Sequence, residues 1–423
     1  MSITFKKIDK EDFLEMRKKF LENYKGLDDF DLDTAIRFHK SLPDYKNFQK
    51  MLEKSIQDNR TVTEAYSKET LLEDLIKNLN SLHRVGQADF LSLLNGFPLI
   101  TYGTKLARKI INDVEVPLQV KHGSADARLL AEFSFLGGFS AFDGGGISHN
   151  IPFSKSVSLN DSLENWKYVD RLVGLYEEHG IKINREIFSP LTATLVPPAI
   201  SNSIQILESL LAVEQGVKNI SIGVAQYGNI TQDIASLLAL QEQIKFYLDS
   251  FSFKDIHISR IFVKNIDEYT KNSLGNTMIN SLVLTKTILD IGNSQNLTNY
   301  EEVNLEKEQI KKETAQILEK IFSICDGDLR KAIAEAFEDG IIDIPFAPSK
   351  YNIGKMMPAR DKEGMIRYLD IGNLPFEIST QEFHHNKIKE RAINENREID
   401  FQMTIDDIFA MSQGKLINKK SRE

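Results

Sequence analysis

The spacing of apolar residues changes near residue 86 and divides the chain into regions of different texture. Before that point apolar residues recur at helical intervals among charged ones. Phe13, Met16 and Phe20 follow Asp9 and Asp12, an arrangement suited to a capped amphipathic helix. After it, short apolar runs of strand character at 116–120, 181–183, 220–224, 256–263 and 341–344 alternate with helical stretches at 125–134, 161–179, 200–215, 230–250 and 328–339. Alternation of this kind builds βα units around a parallel sheet. Residues 300–324 read as one long charged helix with Ile310, Thr314, Ile317, Leu318 and Ile321 on one face, the pattern of a helix packed against a neighbour. The organisation expected is a helical N-terminal region (1–85), a barrel-like domain (86–350) and a polar helical extension (351–423) with a short apolar patch at 405–411.

The polar residues favour a barrel over an open sheet. Several strand candidates end in clusters of functional character: Lys121-His122-Gly123, Asn184-Arg185-Glu186 and Gln226-Tyr227-Gly228-Asn229. In a (β/α)8 TIM-type barrel such ends converge on one face, where sites are built. A doubly wound sheet would show a Gly-x-Gly-x-x-Gly turn after its first strand, and the sequence has none.

Composition narrows the function classes. A net charge of −9 without a long Lys/Arg stripe argues against a nucleic-acid partner. The one cysteine, Cys325, excludes an intrachain disulfide and a Cys-based zinc site. No stretch approaches about 18 consecutive apolar residues, so no membrane span is expected. Met1 to Lys10 lacks the apolar core of a secretion signal, and a cytoplasmic protein is the expectation.

The densest local feature is Asp143-Gly144-Gly145-Gly146-Ile147-Ser148-His149-Asn150. Three successive glycines free the backbone and would let a ligand approach closely; an ordinary glycine turn is the alternative. No Gly-Lys-Ser/Thr follows, so this is not a P-loop. The pair His384-His385 lies in a polar helix without ligand spacing, and no metal is expected there. Ser, His and Asp are too scattered to form a triad.

The stretch from Lys121-His122-Gly123 to Asn150-Ile151-Pro152 resembles the large subunit of the methylaspartate mutase (glutamate mutase) family. The resemblance continues through Asp170-Arg171-Leu172-Val173-Gly174, Asn184-Arg185-Glu186 and Thr194-Leu195-Val196-Pro197-Pro198, then from Ala212 to Ile220. It resumes from Asp343 to Asn352, at Gly354-Lys355-Met356-Met357-Pro358 and at Ile405-Asp406-Asp407-Ile408-Phe409. It covers most of the chain and implies a (β/α)8 barrel. It also implies a radical carbon-skeleton isomerisation of an amino acid with adenosylcobalamin, shared with a cobalamin-carrying small subunit. A second copy of the large subunit is a further partner to consider. The small subunit of that family carries the Asp-x-His-x-x-Gly cobalt-ligand motif. The similar run here, Asp255-Ile256-His257-Ile258-Ser259-Arg260, closes on arginine and reads as a strand histidine.

Departures from the family pattern bear on the substrate. The family grips two carboxylates with three arginines; the matching positions here are Tyr66, a segment absent near residue 91, and Lys121. The glutamate that meets the substrate ammonium corresponds to Asp143, and two pocket tyrosines correspond to His149 and Phe153, with His122 beside them. A strand holding the cofactor ribose is missing between Gly292 and Asn304, while Asn95 and Pro152 keep the cobalamin-facing pattern. The barrel is therefore expected to be incomplete, and the substrate to carry fewer anionic groups than glutamate. A non-catalytic partner-binding module that keeps the fold is the competing reading.

Overall fold

The structure is a computed structural model and describes residues 2–43, 62–65, 76, 90–93, 99–120, 122, 124–154, 156–187, 195–225, 227–263 and 299–412. After a short strand β1 (Ser2–Ile3) come helices α1 (Lys10–Leu21) and α2 (Leu32–Ser41). A parallel sheet then runs β2 (Val62–Ala65), β3 (Phe90–Leu93), β4 (Leu118–Val120), β5 (Ala141–Asp143), β6 (Asn184–Ile187), β7 (Asn219–Ala225) and β8 (His257–Val263). Each strand pairs with the next in sequence, all in parallel. The intervening helices are α3 (Leu99–Asp113, broken at Gly103), α4 (Arg128–Leu136), α5 (Leu159–Glu178), α6 (Pro198–Glu214) and α7 (Ile230–Ser250). The α/β class expected from the sequence holds. The strand order never reverses, so the sheet lacks the switch point of a doubly wound fold. Among the described residues, no ladder joins β8 back to β2.

Helix α8 spans Tyr300–Ile324 and leads into a short strand β9 (Asp326–Gly327) that pairs in parallel with β1; the predicted face of Ile310, Thr314, Ile317, Leu318 and Ile321 is buried. It packs on α6 and α7, so α6 lies between helices and sheet with every one of its residues buried. Most of its polar side chains find a partner, as buried polar groups require, with the Ser203 hydroxyl an exception. Asn202 Nδ2 donates to the Ser236 carbonyl, and Gln205 bonds the N–H and carbonyl of Gly223 beyond the end of β6. Glu214 accepts from the Lys6 N–H and from Arg330.

Four expectations need correction. The sheet begins at Val62, upstream of residue 86, because a four-residue strand among charged neighbours leaves no alternation to read. The run at 341–344 forms no strand; it is a buried turn following α9 (Leu329–Asp339). Local bonds replace a ladder: Asn352 bonds the N–H and carbonyl of Ile344, the Ile342 N–H donates to the Ala336 carbonyl, and the Asp343 carboxylate accepts from the N–H groups of Gly354, Lys355 and Met356. The extension 351–423 is not wholly helical. An antiparallel hairpin, β10 (Met357–Arg360) and β11 (Ile366–Asp370), precedes α10 (Ile378–Glu395) and α11 (Gln402–Ser412). Finally, Asp9 occupies the N-cap of α1 without a side-chain hydrogen bond, whereas Asp31 caps α2 through Asp33 and Thr34.

Candidate functional site

Strand register sorts the sheet residues into two faces. Val120, Phe142 and Arg185 share one level, and Phe142 packs there on Phe135 of α4 and Trp166 of α5. That face meets the helices. Because side chains alternate along a strand, Gln119, Asp143, Asn184, Glu186, Ser221 and Ser259 lie on the other face. Gln119 Nε2 donates to Glu186 Oε2 across 2.7 Å, passing over β5. The Ser221 hydroxyl sits 2.9 Å from Asn184 Oδ1 and 2.7 Å from the Ser259 hydroxyl. This polar face ends in two neighbouring carboxylates, Asp143 and Glu186, paired in register and both buried. Among its described residues it carries no Lys or Arg.

Beyond Asp143 the chain enters the triple-glycine turn. The space at each glycine is filled by the protein's own atoms, which corrects the expectation of close ligand approach. A Cβ at Gly145 would lie 2.1 Å from the Glu208 carboxyl carbon. At Gly144, whose φ is +105°, it would lie 2.1 Å from His149 Nδ1, and at Gly146 2.9 Å from Leu163. Glu208 reaches in from α6 and accepts from the N–H groups of Ile147 and Ser148, each at 2.8 Å, and from the Ser148 hydroxyl at 3.1 Å. Burial pushes its carboxyl up to about 7 despite these donors.

Aromatic packing supports the turn from the helix side. His122 and His149 stack on one another at 5.2 Å and on Trp166 at 5.8 and 6.0 Å. The Gly145 N–H donates to His149 Nδ1 at 3.2 Å. Burial, reinforced by the charge of Arg185, pulls His122 down to about 4, so it is neutral near pH 7. Arg185 lies over the Trp166 ring and donates to Asp170 Oδ1 (2.8 Å) and to the carbonyls of Phe142 (2.7 Å) and Gly144 (2.8 Å). It braces the turn from behind and does not face the carboxylates.

The structure thus brings Asp143, His122 and His149 into one buried group. Phe153, 56% exposed, lies 6.1 Å from His149, with half-buried Pro152 beside it on the rim. Tyr66, Asn95 and Lys121 lie outside the described residues. Tyr227 follows β7; its N–H donates to Asp233, and its carbonyl accepts from Arg360 of the C-terminal hairpin. Asp233 is pushed up to about 8 by burial. His257 opens β8 as the strand histidine expected, and His384 lies 2.9 Å from Glu313. Among the described residues no group of three His, Cys, Asp or Glu is placed to hold a metal ion. Sequence reasoning missed Glu208 and Trp166. The available signal was a carboxylate in the middle of a helix whose other residues there are apolar or uncharged, which implies a dedicated partner.

The family model described as Methylaspartate mutase E chain matches residues 91–262 and 257–420. A glutamate mutase epsilon subunit from Fusobacterium nucleatum is 74% identical over 485 aligned positions, covering 100% of both chains. Counterparts from Treponema denticola and Escherichia coli O157:H7 are 38% and 34% identical, each covering 99% of this chain and 99% or more of their own length. This chain has 423 residues, so about 60 of the positions aligned with the Fusobacterium protein have no residue here.

Proposed function

The chain belongs to the methylaspartate mutase E-chain family, as a homologue of the large (epsilon) subunit of glutamate mutase, and on that premise we propose that it holds an amino acid at the polar face of its sheet while a cobalamin-carrying small subunit closes over it. The observation that carries this reading is the register pairing Asp143 with Glu186 at the ends of adjacent parallel strands. Two buried carboxylates on one polar face favour an ammonium-bearing ligand. Asp143 accepts from that ammonium, and Glu186 is held in place by Gln119. Lys121, the residue that follows Val120 in the sequence, holds a substrate carboxylate. His149 and Phe153 shape the pocket, with His122 and Tyr66 contributing to its walls. A single lysine balances fewer anionic groups than three arginines, so the substrate is an amino acid less acidic than glutamate.

The rim offers an apolar contact to a ligand: Pro152 is half-buried and Phe153 mostly exposed beside the turn. Asn95 and Pro152 would face adenosylcobalamin there, and when bound it supplies radical hydrogen abstraction. This chain's own part is to bind and orient the amino acid and to exclude water. We further infer that the seven strands curl into an incomplete barrel, flanked by a helical N-terminal segment and by a C-terminal extension that combines a hairpin with two helices.

The test is reconstitution of the purified chain with adenosylcobalamin and a cognate small subunit against a panel of amino acids. Isomerisation of a monoanionic amino acid, with little or none of glutamate, supports the proposal. Absence of any complex or turnover with every candidate supports the non-catalytic module.

A further inference from the structure

We propose that Glu208 is a positioning residue for this site: from α6 it holds the turn at 144–148, and through that turn it sets Asp143 and His149. The proposal rests on Asp143 as the residue that meets the ligand's ammonium. Three observations carry it. Both Glu208 oxygens are committed to the turn, through two backbone N–H groups and one hydroxyl. The turn is built to receive the carboxylate, since any side chain at Gly145 would overlap it. The turn in turn fixes its neighbours: the Gly144 N–H donates to the Glu186 carbonyl at 3.0 Å and the Gly145 N–H to His149.

A residue serving packing alone at this place in a fully buried helix would carry no charge, because burying a carboxylate costs more than burying a methyl group. Glu208 is 4% exposed, and its surroundings compensate part of that cost. Arg185 of β6 acts on it directly, and Lys167 and Asp170 of α5 and Arg330 of α9 line the same narrow cavity between the turn and the helices. His149 meets the same turn at the Gly145 N–H. The carboxylate is therefore a rigid strut between the helix layer and the loop that carries the ligand-facing residues.

The chain's one tryptophan, Trp166, stacks on both histidines and lines that same cavity, so its emission reports the turn's geometry. The experiment compares wild type with Glu208→Ala, Glu208→Gln and Ser148→Ala by amide hydrogen exchange resolved to peptides and by tryptophan emission, without ligand. Glu208→Ala should raise exchange at Ile147 and Ser148 about tenfold or more, the change expected from losing a hydrogen bond to a charged group. Exchange in α6 and in β7 should stay as it was, and Trp166 emission should shift. Glu208→Gln keeps a carbonyl oxygen for the two N–H groups and should restore most of the protection. Ser148→Ala removes one bond only and should give an intermediate effect in a folded protein. Unchanged exchange at the turn in Glu208→Ala, exchange raised equally throughout the chain, or no rescue by glutamine would each overturn the proposal. None of these readouts uses an amino acid or cobalamin, so failure here leaves the ligand reading standing, and a failed reconstitution leaves this one standing.

Discussion

Replacing Arg185 by methionine separates bracing of the site from ligand chemistry, because Arg185 faces the helices and not the carboxylates. The side chain is 1% exposed and makes three hydrogen bonds: one to the Asp170 carboxylate and two to the carbonyls of Phe142 and Gly144, on either side of Asp143. Methionine fills most of the volume but leaves Asp170 buried without its cation. Breaking a buried ion pair in this way costs about 3–5 kcal/mol. Burial already raises the Asp170 carboxyl, with Arg185 opposing, so losing the guanidinium drives it further toward its protonated form. Proton uptake caps the penalty near the lower end of that range. Adding Asp170→Asn should then recover about 2 kcal/mol or more, since the charge that needed compensation is gone. The assay is urea unfolding followed by far-UV circular dichroism, because Trp166 emission is itself altered by losing the guanidinium over its ring. A loss under about 1 kcal/mol in Arg185→Met, or a double variant no more stable than the single one, would refute the argument.

Stability should fall as pH rises from about 6.5 to 8. Burial raises Glu208 and Glu177 to about 7 and Asp233 to about 8, so across this interval the folded chain holds protons that the unfolded chain has lost. His39 and His122, both pulled down to about 4, act in the opposite sense but only below their ordinary range near 6.5. Melting temperatures across the interval check this, and a rise would contradict it; Asp233→Asn should flatten the upper part of the slope. Gly145→Ala should destabilise by about 3 kcal/mol, through overpacking of about 1–3 kcal/mol and loosened bonds to Glu208. Gly180→Ala, at φ +76° with open space around it, should cost only about 1–2 kcal/mol; equal losses in the two variants would show that the Glu208 contact is not what Gly145 protects.

The helices were legible where a 3.6-residue apolar period met a cap. The long helix of residues 300–324 falls on its predicted bounds, with Asn299 capping it through Glu301. Strands were legible where an apolar run was long, as in β7 and β8. β2 and the C-terminal hairpin were not, because β2 is four residues long and carries Glu64, and β10 carries Pro358 and Arg360. The run at 341–344 misled for the opposite reason. It is buried, but its backbone bonds go to the Asn352 side chain and the Ala336 carbonyl instead of a neighbouring strand, and hydrophobicity alone does not distinguish the two. At the site, the family resemblance pointed to Asp143, His122 and His149, and the fold stacks the two histidines beside the turn that follows Asp143. Sequence reasoning could not find Glu208, which approaches the turn from a helix more than 50 residues further along the chain. The glycines also have a different purpose from the one expected, since a sequence shows that space is needed but not which atoms fill it.

The most direct measurement of the central claim is turnover by the reconstituted pair: this chain, a cobalamin-carrying small subunit and adenosylcobalamin. The chain is assayed as wild type and as Asp143→Asn, with product identity read by NMR. The account predicts isomerisation of an amino acid bearing one carboxylate, little or no conversion of glutamate to methylaspartate, and turnover lost in Asp143→Asn with the melting temperature unchanged. Rapid conversion of glutamate, or turnover that survives in Asp143→Asn, would contradict it.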